Sequence, residues 1–275
     1  TIECGVSAPY YWISKHKAIP FFCTVPGGMT AIEKFSWVKY GGGQILWDNL
    51  YSNFNLKALL CGNTGVQMGG WFKSEIKTID DFKGLKMRIP GIGAEIINQL
   101  GGTAVNIPPG EIMPALQQGL IDATEWVGPW VDKISGLHKI AKYYYGPGIH
   151  EPGTANELIM NKNAWDTLPK NLKEIVKNVC YSVYLESLAE FLYYNAISLK
   201  ELKNEFNIKV KNFDTKIIQK MFDISRSIIE DFSDMGKIHK DIYDSWRTSL
   251  IQFNSYQSFS DYGYIKERIK SIKKL

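Results

Sequence analysis

Leu85-Lys86-Met87-Arg88-Ile89 is a short strand-like run, and Pro90-Gly91 turns the chain out of it into a helical stretch over 92–100. The end of a strand before a helix N-terminus is where α/β proteins place anionic ligands. Arg88 holds that end, and it is the only arginine in the first 225 residues of a chain with 28 lysines. Arginine differs from lysine in presenting a flat fork of donors that matches a carboxylate bidentately. The competing reading is a surface arginine without a role. The exception to a strong lysine bias argues against it.

Outward from Arg88, strands and helices alternate over 80–145. A strand over 103–107 leads into a helix over 111–118, and a short strand over 121–123 leads into a helix after Trp126. Alternation at this pitch implies a parallel or mixed sheet covered by helices. Upstream, a helical stretch over 10–17 precedes the apolar run Ile19-Pro20-Phe21-Phe22-Cys23. Helices follow over 30–40 and 44–54, then a buried-strand pattern over 56–61. Glycine-rich connectors at 63–72 and 147–156 flank the Arg88 unit. That is the topology of one lobe inserted into another, and two crossings let such lobes hinge on a ligand.

Beyond Pro169 the pattern is helical. Leu172, Ile175, Val176, Val179 and Val183 recur at helical spacing without Pro or Gly until past Phe206. A helix over 170–205 would run roughly 50 Å and span both lobes. Further helices are expected over 215–232 and 238–253, with a short one after Tyr256. The expectation is an α/β fold of two lobes, with two crossing connectors and a long spanning helix. Lobe 1 comprises 1–66 with 151–205, lobe 2 comprises 67–150, and 206–275 adds a C-terminal strand and helices packed on the lobes. Thr1 opens in what reads as mid-strand, so the N-terminal part of lobe 1 is expected to be missing.

Composition limits the function classes. At 275 residues with 45% hydrophobic content, the chain can bury a large core. Its net charge of +4 is small, and the basic tail with Lys266, Arg268, Lys270, Lys273 and Lys274 reads as a helix face, not a nucleic-acid patch. No apolar run has the length of a membrane span. Cys4, Cys23, Cys61 and Cys180 lack metal or redox spacing and read as single buried thiols, their disulfide status left open.

The four histidines are scattered, and neither a G-x-S-x-G elbow nor an H-E-x-x-H pair is present. The acids say more. Glu125 ends its strand as Arg88 ends its own, so both are expected to face one cleft. Gln67 lies in the first connector and Glu151 in the second. The alternative is that these acids are solvated loop residues. One arginine with two glutamates gives a net charge of −1, and a monocarboxylate ligand makes it −2. Burying that without a cation is costly. Carboxylate, amide and carbonyl oxygens suit Na⁺ or Ca²⁺. Aromatics cluster nearby, among them Tyr10-Tyr11-Trp12, Trp71, Trp126 and Tyr143-Tyr144-Tyr145; most read as core, a few as walls of a small pocket.

Four stretches together carry a resemblance. They are Gly62-Asn63-Thr64-Gly65-Val66-Gln67-Met68-Gly69-Gly70-Trp71, Gly84-Leu85-Lys86-Met87-Arg88-Ile89-Pro90-Gly91, Ile121-Asp122-Ala123-Thr124-Glu125-Trp126-Val127-Gly128-Pro129, and Tyr143-Tyr144-Tyr145 with His150-Glu151-Pro152-Gly153-Thr154. The chain resembles the extracytoplasmic solute receptors of TRAP transporters, the DctP type, and most of all their 2-oxo acid binding subgroup. The resemblance implies a two-lobed periplasmic binding protein, not an enzyme, which delivers a small organic carboxylate to membrane permease subunits. It implies Arg88 as the carboxylate clamp, and a Na⁺ or Ca²⁺ site from Gln67, Glu125, Glu151 and the Trp126 carbonyl. Tyr11 and Asn63 are further expected ligand contacts. It also implies a homodimer with the C-terminal helix packed on the partner. Met113 and Trp130 depart from the family pattern near the cleft. A 2-hydroxy acid, dicarboxylate or sugar-acid ligand, or a ligand-sensing input to a signalling partner, are the alternatives.

Overall fold

A computed structural model describes residues 2–272. Its strands are β1 (Cys4–Ser7), β2 (Leu56–Asn63), β3 (Gly70–Phe72), β4 (Lys86–Arg88), β5 (Thr103–Val105), β6 (Ala123–Thr124), β7 (Tyr143–Gly146), β8 (Ala155–Asn161) and β9 (Lys209–Asn212). They form two sheets. The first has the order β1-β8-β2, with β8 antiparallel to both neighbours. The second has the order β5-β4-β6-β3-β7-β9. Within it β5, β4 and β6 run parallel, and β3 is antiparallel to β6 and β7. The chain leaves the first sheet after β2 and returns at β8, so the expected pair of crossings is present. Thr1 and the basic pair Lys273-Lys274 lie outside the described residues.

Local chemistry explains the helix ends. Thr30 and Glu33 form a reciprocal capping box at the start of Ala31–Tyr40, where two otherwise unpaired N-terminal donors are satisfied. Pro129 opens the helix Pro129–Ile134 at a position where its missing N–H costs nothing. Under the first sheet, Phe22 stacks between Trp37 and Trp47 at centroid distances of 5.4 and 4.9 Å. Such pairs add to the area they bury, by about 0.5–1.5 kcal/mol each. Gly70, at φ +123°, begins β3 where an added Cβ would sit 2.8 Å from the Thr124 carbonyl oxygen. Only glycine lets the two strands approach there.

The sequence pattern misplaced two features. Residues 10–17 do not form a helix; a 3₁₀ turn at Pro9–Trp12 takes that place, and Ile19–Phe22 is a second. Prolines at 9 and 20 open both turns and leave no room for a longer helix. The long helix is present over Lys170–Asn204, and of the apolar positions that marked it Ile175 and Val179 are 56% and 55% exposed. Its buried contacts are Cys180, Tyr184, Ser198 and Leu202. Cys4 is exposed rather than buried. The C-terminal helices Thr215–Ser233 and Lys237–Gln257 pack on one another, the former also on Gly91–Gln99 and the latter on the helices preceding β2.

Candidate functional site

Arg88 is the last residue of β4, and Glu125 follows the last residue of β6, its parallel neighbour. The Glu125 backbone N–H donates to the Arg88 carbonyl at 3.2 Å, which fixes both side chains at one sheet edge. They meet there: Arg88 Nη1 donates to Glu125 Oε1, and the two are 3% and 1% exposed. Arg88 Nε donates to the Ile107 carbonyl at 3.3 Å, which orients the guanidinium. Nη2 donates to no protein acceptor among the described residues.

The connectors deliver the rest of the site because they are hydrogen-bonded to each other. Thr64 N–H reaches the Thr154 carbonyl at 3.1 Å, Gln67 N–H the Glu151 carbonyl at 3.1 Å, and Gly148 N–H the Gln67 carbonyl at 2.8 Å. This ladder places Gln67 beside Glu151. The Gln67 Nε2 donates to the Thr64 and Thr154 hydroxyls at 3.2 and 3.3 Å, and Thr154 donates its hydroxyl to Glu151. Gln67 Oε1 is buried without a hydrogen-bond donor. Glu125, His150 and Glu151 each turn one ligand atom into a space where those atoms lie within 4.8 Å of one another.

The electrostatics are those of a site short of positive charge. Burial pushes Glu125 up to about 8 despite the Arg88 guanidinium, and burial with the Glu125 charge pushes Glu151 up to about 7. Burial lowers His150, which keeps it neutral. Its Nε2 has no hydrogen-bond partner and lies 3.5 Å from Glu125 Oε2. An orphaned amide oxygen, two buried carboxylates and a free imidazole nitrogen fit a cation well. Oxygen donors predominate, so a hard ion such as Na⁺ or Ca²⁺ suits the set.

The remaining expected residues are placed differently. The Trp126 ring lies 5.5 Å from the Arg88 guanidinium, and its indole N–H is buried without an acceptor. Asn63, fully buried at the end of β2, donates to the Tyr184 hydroxyl at 2.8 Å and the Gly153 carbonyl at 3.4 Å and accepts from Gly65 N–H at 2.7 Å. Tyr11 is 52% exposed. Its ring neighbour Tyr10, 4.6 Å away, is half-buried, and its hydroxyl is raised by burial and then by the Glu151 charge. Trp130 stacks on Tyr194 of the long helix at 4.7 Å, and Met113 packs in the second-sheet core.

Sequence reasoning passed over Asp132. Its carboxylate, 1% exposed, accepts from Trp71 Nε1 at 2.8 Å, Tyr144 hydroxyl at 2.7 Å, and the backbone N–H groups of Val127 and Gly128 at 3.0 and 2.9 Å. It therefore fixes the loop that carries Glu125 and Trp126 onto the sheet. The signal in the chain is an acid three residues into a helix opened by Gly128-Pro129. Replacing Asp132 with Ala strands two buried side-chain donors, and a loss of about 3–5 kcal/mol in urea denaturation is expected. A loss below about 1 kcal/mol would refute the anchoring role.

The family model for DctP, the bacterial extracellular solute-binding proteins of family 7, matches residues 1–234. A monocarboxylate 2-oxoacid-binding periplasmic protein of Nostoc is 39% identical over 264 residues, covering 96% of this chain and 72% of that protein. A TRAP periplasmic solute binding protein from Pseudoalteromonas atlantica, solved with bound sodium and pyruvate, is 38% identical. It superposes with a TM-score of 0.90 over 96% of this chain and 80% of its own. One from Bordetella bronchiseptica, a mixed-occupancy dimer with calcium and picolinate, is 32% identical with a TM-score of 0.95, covering 99% of this chain and 81% of its own. No helix among the described residues is long and apolar enough to cross a membrane. The chain thus belongs to the family 7 bacterial extracellular solute-binding proteins, the receptors of TRAP transporters.

Proposed function

We propose that this receptor binds a small 2-oxo acid such as pyruvate together with Na⁺ or Ca²⁺ and passes the acid to membrane permease subunits. It acts in the periplasm as a receptor, not as an enzyme. The observation that carries this reading is the meeting of the Arg88 fork with Glu125, Glu151 and the orphaned Gln67 oxygen at the crossing of the two connectors. Arg88 takes the ligand carboxylate. Gln67, Glu125 and Glu151, with the Trp126 carbonyl, hold the cation, which reads the second ligand oxygen and offsets the buried negative charge. Tyr11, with Tyr10 against its ring, walls the ligand.

The lobe limits consistent with this are 1–66 with 151–205 for lobe 1 and 67–150 for lobe 2. Within 206–275, β9 adds to the second sheet. A homodimer is supported by the exposed apolar side chains of the long helix, such as Leu192 and Tyr193, and of the terminal helix Asp261–Ile272, such as Tyr264 and Ile269. Apolar surface of this extent marks an interaction site.

A thermal-shift titration tests the ligand class. Pyruvate, longer 2-oxo acids, lactate and succinate are each added with Na⁺, Ca²⁺ or chelator. A ligand at a hundred times its Kd adds about 2.7 kcal/mol, or about 5–10 °C for a chain of this size. The expected pattern is a shift with 2-oxo acids that requires the cation. A larger shift with succinate, or one independent of cation, would sink this assignment.

A further inference from the structure

The long helix Lys170–Asn204 crosses β2 and touches it with one stripe. Cys180, Tyr184 and Ser187 follow at helical spacing on that stripe. Tyr184 accepts from Asn63 Nδ2 at 2.8 Å and Ser187 accepts from Asn63 N–H at 2.9 Å. One turn earlier on the helix is Cys180, and two residues earlier on the strand is Cys61. The strand bulges between Leu60 and Asn63, and there Cys61 packs against the cluster that holds Cys180, one helical turn before Tyr184.

The surroundings agree. Cys180 is buried with Leu59 and Trp165, and Cys61 packs on the same cluster with Leu158, Leu168 and Val176. Cys61 is half-buried and Cys180 is 2% exposed. The neighbouring Cys180 thiol holds the Cys61 thiol down to about 7, while Cys61 and burial raise Cys180. The walls are apolar. Among the described residues, the grouping of three metal-ligating side chains is the one at Glu125, His150 and Glu151, so the thiol pair lacks the further donors a zinc site requires.

We propose that Cys61 and Cys180 are a redox pair that closes into a disulfide, stapling the long helix to β2 just ahead of the connector that carries Gln67. The co-reactant is a disulfide donor, a small-molecule or protein disulfide. The Cys61 thiolate attacks one donor sulfur, forming a mixed disulfide and releasing one donor thiolate. Cys180 then loses its proton and attacks the Cys61 sulfur, releasing the second donor thiolate. The two protein protons pass to the two donor thiolates, and the two electrons reduce the donor disulfide to two thiols. The accessible, more acidic thiol attacks and the buried one resolves. A member of an extracytoplasmic family meets such oxidants.

The test uses the full chain carrying Cys4→Ser, so that the exposed thiol does not contribute, and its readout is independent of any bound acid. After treatment with oxidised glutathione, thiols are counted under denaturing conditions and the protein is mapped by non-reducing proteolysis and mass spectrometry. The expected result is a fall from three thiols to one, with a cross-linked peptide pair containing Cys61 and Cys180. Adding Cys180→Ser should arrest the reaction as a glutathione adduct on Cys61, and Cys61→Ser should leave both remaining thiols free. Three thiols surviving oxidation, or a cross-link through Cys23, would overturn the pairing.

Discussion

Arg88→Ala is expected to abolish ligand binding while leaving the helical circular dichroism unchanged. Arg88 Nε and Nη1 are already committed to Ile107 and Glu125, which leaves the second terminal nitrogen to meet an incoming carboxylate. Truncating one partner of a buried charge pair costs about 2–5 kcal/mol of binding, so a loss of roughly 30-fold to 4,000-fold in Kd follows. The fold survives because Glu125, already raised to about 8 by burial, protonates once its counter-charge is gone. Arg88→Lys restores the charge without the flat fork and should recover only part of the affinity. Calorimetric titration with pyruvate and cation decides it. An unchanged Kd for Arg88→Ala would remove the residue from the site.

Why Arg88 and Glu125 could be paired from the chain, and Tyr10 could not, has a physical basis. A short strand ended by Pro90-Gly91 has its ligand-facing end fixed by topology, because parallel neighbours in a sheet share their C-terminal edge. Gln67 and Glu151 were legible in the same way, as residues of two connectors that must cross together. Charge then demanded a cation. Side-chain direction within a 3₁₀ turn is another matter. In Pro9–Trp12 the rings of Tyr10 and Tyr11 meet edge to face at 4.6 Å, yet Tyr11 is 52% exposed while Tyr10 is half-buried. No periodicity selects between them.

Asn63 and Asp132 illustrate a second limit. A polar residue in a glycine-rich connector can contact a ligand or hold the connector, and composition does not distinguish the two. Asn63 holds it, through Tyr184 and Ser187, more than 120 residues away. Asp132 gathers donors from Trp71 and Tyr144, which reach it only once the second sheet has formed. The long helix is the converse case: its apolar stripe was visible, yet spacing alone cannot say whether a stripe meets its own core or another surface.

In the absence of cation, stability is expected to fall as pH rises from about 4.5 to about 7. Burial holds Glu151 at about 7, and Glu125 and Glu157 at about 8, above the values these groups have in the unfolded chain. At these three carboxylates the folded protein therefore binds more protons than the unfolded one in this window. His16, His138, His150 and His239, all lowered by burial from 6.5, work in the opposite direction, so the carboxylate share is read from the difference between the parent and Glu125→Gln profiles. Each group's contribution is fully present below its unfolded pKa and is lost as pH rises through the folded one. The slope is about 1.4 kcal/mol per pH unit for each group that titrates this way. Lys34, buried and lowered to about 7, works in the opposite direction, but only above that pH. Binding a cation requires Glu125 and Glu151 ionised, so the cation competes with their protons and its affinity weakens as pH falls. Melting temperature measured at pH 5 and pH 7 in sodium-free buffer should drop toward neutral pH with chelator and drop less, or rise, with saturating Ca²⁺. Glu125→Gln, which keeps a neutral side chain there at every pH, should flatten the chelator profile and remove much of the response to Ca²⁺. Identical profiles with and without Ca²⁺, repeated with Na⁺, would mean that these carboxylates do not hold the ion.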